Sequence, residues 1–208
     1  MLTMWHSLPV VQRGTIIIVL IAVGLANVGQ PYPFLAPLQH VPTVLLALAA
    51  PWLIRRWQLS TVSVISIGLF FLVHTLGGRY IYSNVPYDEW ALALTGHGLS
   101  EVFGWNRNHY DRLVHFLFGL LWTLPVCRAL MARHGMTRAL GLWAGFAFIG
   151  LGSALYEIFE WLLTLVAEGN TADYYNGQQG DMWDAQKDMA LAQLGSLTAI
   201  IAAKLRRK

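Results

Sequence analysis

Residues 14–54 read GTIIIVLIAVGLANVGQPYPFLAPLQHVPTVLLALAAPWLI, 41 consecutive positions between Arg13 and Arg55 with no Lys, Arg, Asp or Glu. Soluble domains carry about 25% charged residues, so an uncharged run of this length belongs in hydrocarbon. One crossing takes roughly 20 mostly apolar residues, so the run is too long for a single helix. Gln30-Pro31-Tyr32-Pro33 interrupts it, and the break predicts two helices, 14–30 and 38–54. Pro42 lies near the start of the second, where proline is tolerated, and Pro51 near its end, where it favours a kink. Gly24-Leu25-Ala26 has the small-x-small form of a signal-peptide cleavage site. The break leads straight into another apolar segment, however, which favours a retained first helix.

Working outward, four more apolar segments follow, at 59–78, 111–131, 138–167 and 184–203. The chain thus predicts an all-α polytopic membrane bundle of about six transmembrane helices, forming a single integral membrane domain over residues 1–208. Composition agrees: 56% of residues are hydrophobic and only 12% are charged, which excludes disorder and disfavours an ordinary soluble enzyme. The single cysteine, Cys127, excludes an intramolecular disulfide and a clustered thiolate zinc site. It reads as a small packing residue.

Charge sets the orientation. With a cytoplasmic N-terminus, Arg13, Arg55, Arg56, Arg128, Arg133, Arg138, Lys204, Arg206, Arg207 and Lys208 lie inside, 10 of the 14 basic residues. The positive-inside rule then places both termini in the cytoplasm. All 11 acidic residues fall outside or in the outer half of the spans. The net charge of +3 is therefore a topology and lipid-headgroup signal, and no nucleic-acid partner is expected. Two outer loops are long. Residues 79–110 contain Tyr80, Tyr82, Tyr87, Trp90, Trp105 and Tyr110, rings that settle at headgroup level. Residues 168–183 are polar and acidic.

Ionisable residues inside spans are costly and mark function by default. His74 lies deep in the third span. Asp111 and His115 open the fourth, and Asp184 and Asp188 open the sixth, each pair four residues apart and so on one helical face. Glu157 and Glu160 lie about 28 and 33 Å along the fifth span from Arg138 at 1.5 Å per residue. All reach one depth, the outer quarter of the membrane. Carboxylates and imidazoles at one level suit a divalent metal such as Zn, Mn or Fe. The expected ligands are His74, Asp111, His115, Glu157 and Asp188, with Glu160 and Asp184 as acid–base groups. Arg79, Tyr80, Arg112 and Lys187 are expected to bind substrate, and the cations among them offer an alternative counter-charge. Each residue also has a structural use: Asp111 and Asp184 suit helix N-caps, His74 and His115 suit structural hydrogen bonds, and His40, His97 and His109 suit loops or boundaries. Gly141-x3-Gly145, with Gly150 and Gly152, allows close helix approach within the bundle.

The run Tyr110-Asp111-Arg112-x2-His115-Phe116, then Glu157-x2-Glu160, then Asp181-x2-Asp184-x3-Asp188-x6-Gly195, resembles the VanZ-like membrane family over residues 110–203. That family is associated with glycopeptide-antibiotic resistance and brings no settled reaction. With His74-x2-Gly77-x2-Tyr80 added, nearly the whole chain is similar to the bacterial inner-membrane family typified by YjdF. Glu160 stands where the VanZ-like pattern has glutamine, Asp188 where it has asparagine, and Leu191 at its first glycine position. The site is thus more acidic, which favours a cation.

The expected function is metal-assisted hydrolysis or transfer on an amphipathic envelope substrate in the outer leaflet. A cation- or proton-coupled transporter, or a non-catalytic accessory membrane protein, are the alternatives. A transporter needs polar groups at or across the midplane, whereas the inner halves of these spans contain no acid. The sequence leaves oligomeric state open.

Overall fold

The computed structural model describes residues 2–166 and 177–205, and every regular element in them is an α-helix. In chain order these are α1 (Leu2–His6), α2 (Val10–Ala26), α3 (Ala36–Arg56), α4 (Thr61–Arg79), α5 (Tyr87–Thr95), α6 (Leu99–Phe103), α7 (Tyr110–His134), α8 (Arg138–Val166) and α9 (Asp184–Leu205). Residues 168–176 of the second long loop, and the basic residues 206–208, lie outside the described residues.

Five helices are long and apolar enough to cross a membrane: α3, α4, α7, α8 and α9. The expected first span is a shorter apolar helix of 17 residues, and it runs four positions earlier than 14–30 predicts. The shift has a local cause. Pro9 precedes the first helical residue, and Asn27 ends the helix with its N–H and its side-chain amide both donating to the Val23 carbonyl. Hydropathy reports neither signal. Other ends follow ordinary capping. Ser60 accepts from Ser63 N at 3.2 Å and opens α4. Gly135, at φ 64°, returns its N–H to Met131 O and closes α7 three residues beyond the predicted end. Helix α3 runs through both Pro42 and Pro51.

The helices form two groups. Helices α2, α3 and α4 pack together, α7, α8 and α9 pack together, and α4 joins them by lying on α7. The tightest seam is α7 on α9, which run parallel. A Cβ at Gly119 would strike the Ala192 carbonyl, and one at Gly195 would strike the Phe116 carbonyl. The two backbones can meet only because both positions are glycine. Thr123 and Ser196, with Oγ atoms 2.7 Å apart, close the seam one turn further on. Gly141 and Gly145 face Cys127 and the Thr123 carbonyl of α7, so the G-x3-G pair on α8 serves packing within the chain.

The first long loop folds into α5 and α6, tied together by Asp88, which accepts from Ser100 N at 2.7 Å and Ser100 Oγ at 2.5 Å. These bonds hold the Asp88 carboxyl below its ordinary range. Leu92, Leu94, Val102 and Phe103 are exposed, an apolar surface suited to a helix pair lying at the membrane interface.

Candidate metal centre

Because α7 and α9 are parallel and locked at Gly119 and Gly195, their N-terminal turns lie side by side. The exposed N–H groups of both turns face the same end, where they favour negative charge. Asp111 sits in the first turn of α7, with His115 one turn in. Asp184 opens α9, with Asp188 one turn in. Helix α8 runs past the same place and contributes Glu157 and Glu160.

One donor atom each from Asp111, His115 and Asp188 lies within 4.8 Å of the other two, and all three residues are buried. His115 Nε2 is 3.7 Å from Asp111 Oδ1 and 3.5 Å from Glu157 Oε1. Asp188 is 2% exposed, yet its Oδ1 has no hydrogen-bond partner, and neither has Glu157 Oε1. Glu160, also buried, has Asp111, Glu157 and Asp188 as charged neighbours and Tyr156 as a hydrogen-bond partner. Among the described residues no Lys or Arg forms an ion pair with any of these four carboxylates. Buried acids grouped this way require a cation or shared protons to offset their repulsion. Metal–ligand bonds of about 2.1 Å place neighbouring ligand atoms about 3.4 Å apart in a tetrahedral site, so these three groups must draw inward to close on an ion.

An ion-pair collar flanks this group. Arg107, in the loop before α7, grips Asp184 with both terminal nitrogens, Nη1–Oδ1 at 2.5 Å and Nη2–Oδ2 at 3.1 Å. It also donates to the carbonyls of Gly177 and Gln178. Arg112 Nη2 reaches Asp181 Oδ2 at 2.5 Å and Asp184 Oδ1 at 3.2 Å. Lys187 Nζ lies 2.6 Å from the same Asp181 oxygen. Lys187, then the Trp183 N–H and Arg112, hold the Asp181 carboxyl well below the usual carboxylate range. Neither expected N-cap spends its carboxylate on capping: Asp184 serves the two arginines, and His109 holds the N-cap position of α7 without a side-chain bond.

Of the expected ligands, the structure brings together Asp111, His115, Glu157 and Asp188, with the expected acid–base residue Glu160 beside them. His74 is not among them. Its Nε2 faces the Gln39 carbonyl at 3.3 Å, and its Nδ1 takes the hydroxyl of Tyr82. It belongs to a second polar seam joining α2, α3 and α4, in which Asn27 bonds His40 Nδ1 at 2.9 Å and His40 Nε2 meets the Thr75 carbonyl. Arg79 closes the end of α2 by donating to the carbonyls of Ala26, Val28 and Gly29. Tyr80 lies under the Arg79 guanidinium and edge-on to Trp90. Arg112 and Lys187 do flank the centre. The principal cation of the collar, Arg107, is a loop residue 77 positions from Asp184, and no spacing in the sequence announces it.

A family described as "Predicted membrane protein (DUF2238)" matches residues 11–208. The chain belongs to this membrane-protein family. Within the DUF2238 likeness, the chain is 37% identical over 167 residues to "Inner membrane protein YjdF" of Escherichia coli (strain K12), covering 79% of this chain and 73% of that protein. The chain is a multi-pass inner-membrane protein, which its five long apolar helices and its family support. No solved structure matches the fold. The VanZ-like likeness rests on the motif residues alone.

Proposed function

We propose that this DUF2238 protein crosses the inner membrane six times with both termini in the cytoplasm. On this reading its polar centre faces the periplasmic leaflet and supports metal-assisted hydrolysis or group transfer on an amphipathic envelope substrate. The observation that carries the reading is a pair of buried carboxylate oxygens, Asp188 Oδ1 and Glu157 Oε1, left without partners beside the imidazole of His115. Unpartnered buried polar atoms are rare and costly, and Glu157 Oε1 lies 3.5 Å from the His115 imidazole that groups with Asp188. Asp111, His115, Asp188 and Glu157 would hold a divalent ion, with Zn, Mn or Fe compatible with the mixed N and O donors. When bound, the ion would polarise a phosphoryl or acyl oxygen or lower the pKa of a water.

The remaining residues divide the work. Glu160, buried beside the ligands, is placed to accept or return a proton. Arg112 keeps its buried Nε without a partner, a donor available to a substrate oxygen. Asp184 fixes Arg107 and Arg112 and so sets the position of the collar. A relay through the bilayer finds no acidic second station, because the cytoplasmic halves of the proposed spans contain no acidic residue.

The test is turnover. Purified protein loaded with Zn²⁺, Mn²⁺ or Fe²⁺ is offered phospholipids and polyprenyl phosphates in mixed micelles, and head-group release is followed. We expect Glu160→Gln to lower turnover by about 10²-fold or more, the usual worth of a positioned acid or base. Undiminished turnover in that variant, or none by the metal-loaded protein, would contradict the reading.

A further inference from the structure

A cavity of about 590 Å³ lies between the two helix groups, on the basic side of the polar centre. Small residues on two helices help create it, among them Ala47 and Ala50 of α3 and Ala147 of α8, with Trp122 of α7 and Leu151 of α8 at the end nearer the centre. No charged side chain lines it. Helix α3 packs on α2 and α4, whereas α8 packs on α7 and α9, so the space opens sideways between α3 and α8. Leu46 on one wall and Phe148 and Leu151 on the other are exposed.

Protein interiors are close-packed, with few voids larger than a water molecule. An apolar void of this size forfeits the dispersion contacts of its whole lining unless something fills it. In a bilayer the available filler is hydrocarbon. The volume falls within the range of about 300–1,000 Å³ typical of small-molecule sites. On α3 the lining runs from Leu46 to Trp57, about 16 Å at 1.5 Å per residue, close to half of the hydrocarbon thickness of about 30 Å. The cavity is therefore as deep as one leaflet.

The end of the cavity away from the polar centre has a definite charge. Trp57 lines the end of the cavity away from the polar centre, with the Arg56 guanidinium 5.4 Å from its ring and the His134 ring 6.0 Å from it. Arg133 stands one turn beyond the lining residues Ala129 and Leu130. No acidic residue occurs in residues 1–87 or 112–156, the stretches that contain Arg56 and Arg133.

We infer that the cavity between α3 and α8 binds one acyl chain of an anionic phospholipid, whose headgroup phosphate is held at the Arg56 and Arg133 rim. The site is separate from the polar centre, about 10 Å away along α7 from His115 to Trp122, and does not depend on the chemistry proposed there. Native mass spectrometry of the full chain, released from micelles containing equal phosphatidylglycerol and phosphatidylcholine, tests it. The wild type is expected to retain one phosphatidylglycerol. Ala147→Phe, which puts an aromatic ring into the cavity, is expected to lower that occupancy at least tenfold. The exposed pair Arg56→Gln/Arg133→Gln is expected to abolish the preference for phosphatidylglycerol, and these surface changes give an answer even should Ala147→Phe fail to fold. A broad distribution of either lipid on the wild type, equal retention by folded Ala147→Phe, or an unchanged preference in the double variant would each overturn the inference.

Discussion

Gly195→Ala is expected to force α9 away from α7 and to destabilise the protein by about 3 kcal/mol, the upper end of the usual cost of overpacking. The methyl group would collide with the Phe116 carbonyl and also lie 2.9 Å from Leu120 N. Both are backbone atoms of a neighbouring helix, so no side-chain rotation relieves the contact. One helix must move, and the Thr123–Ser196 hydrogen bond is the first casualty. The movement also separates Asp188 from His115, so any bound metal is lost together with stability. Gly24→Ala is the control. Nothing lies within 4 Å of a Cβ there, and alanine in a helix interior is favoured over glycine by about 0.5–1 kcal/mol. Thermal unfolding in detergent, followed by circular dichroism, should lower the transition for Gly195→Ala and leave it level or raised for Gly24→Ala. A Gly195→Ala protein as stable as the wild type would refute the helix contact described here.

Arg107→Met is expected to cost about 3 kcal/mol or more. The Arg107 and Asp184 side chains are 9% and 4% exposed, and removing one partner of a buried pair leaves the other charge uncompensated, at about 3–5 kcal/mol. Arg112 still reaches Asp184 at 3.2 Å, which holds the expectation near the lower limit. Two further effects identify the mechanism. Arg107→Lys should rescue only in part, because an ammonium cannot reproduce the two-pronged contact. Arg107→Met/Asp184→Leu should be more stable than Arg107→Met alone, because it removes both buried charges. A double variant no better than the single one would contradict the attribution of the loss to an uncompensated Asp184 charge.

The sequence makes the membrane class legible because hydrocarbon tolerates so few compositions. Spans come straight from the uncharged runs, to within a few residues of the observed helices. Caps set those last residues, which is why Pro9 and Asn27 shift α2 while Ser60 and Gly135 trim or extend its neighbours. The pairs Asp111/His115 and Asp184/Asp188 are legible because four-residue spacing fixes a helical face, and a common depth brings Glu157 and Glu160 to the same level. Depth does not give azimuth. His74 reaches a similar level, yet faces Gln39 and Tyr82 in the other helix group. Arg79 is just as deceptive: the carbonyls it caps belong to the end of α2 and the turn after it, some fifty residues earlier in the chain. Arg107 was hidden for the opposite reason. A loop arginine has no periodicity, and only the fold brings it to the first residue of α9.

The central claim is that Asp111, His115, Glu157 and Asp188 together hold one divalent cation. Metal content measured on detergent-purified protein tests it most directly, with wild type, Asp188→Asn and His115→Gln dialysed side by side against Zn²⁺, Mn²⁺ and Fe²⁺. The account predicts about one ion per wild-type chain and a near-complete loss in both variants, with their helical content unchanged. A folded wild-type protein that binds no ion, or variants that bind as well as the wild type, would contradict it.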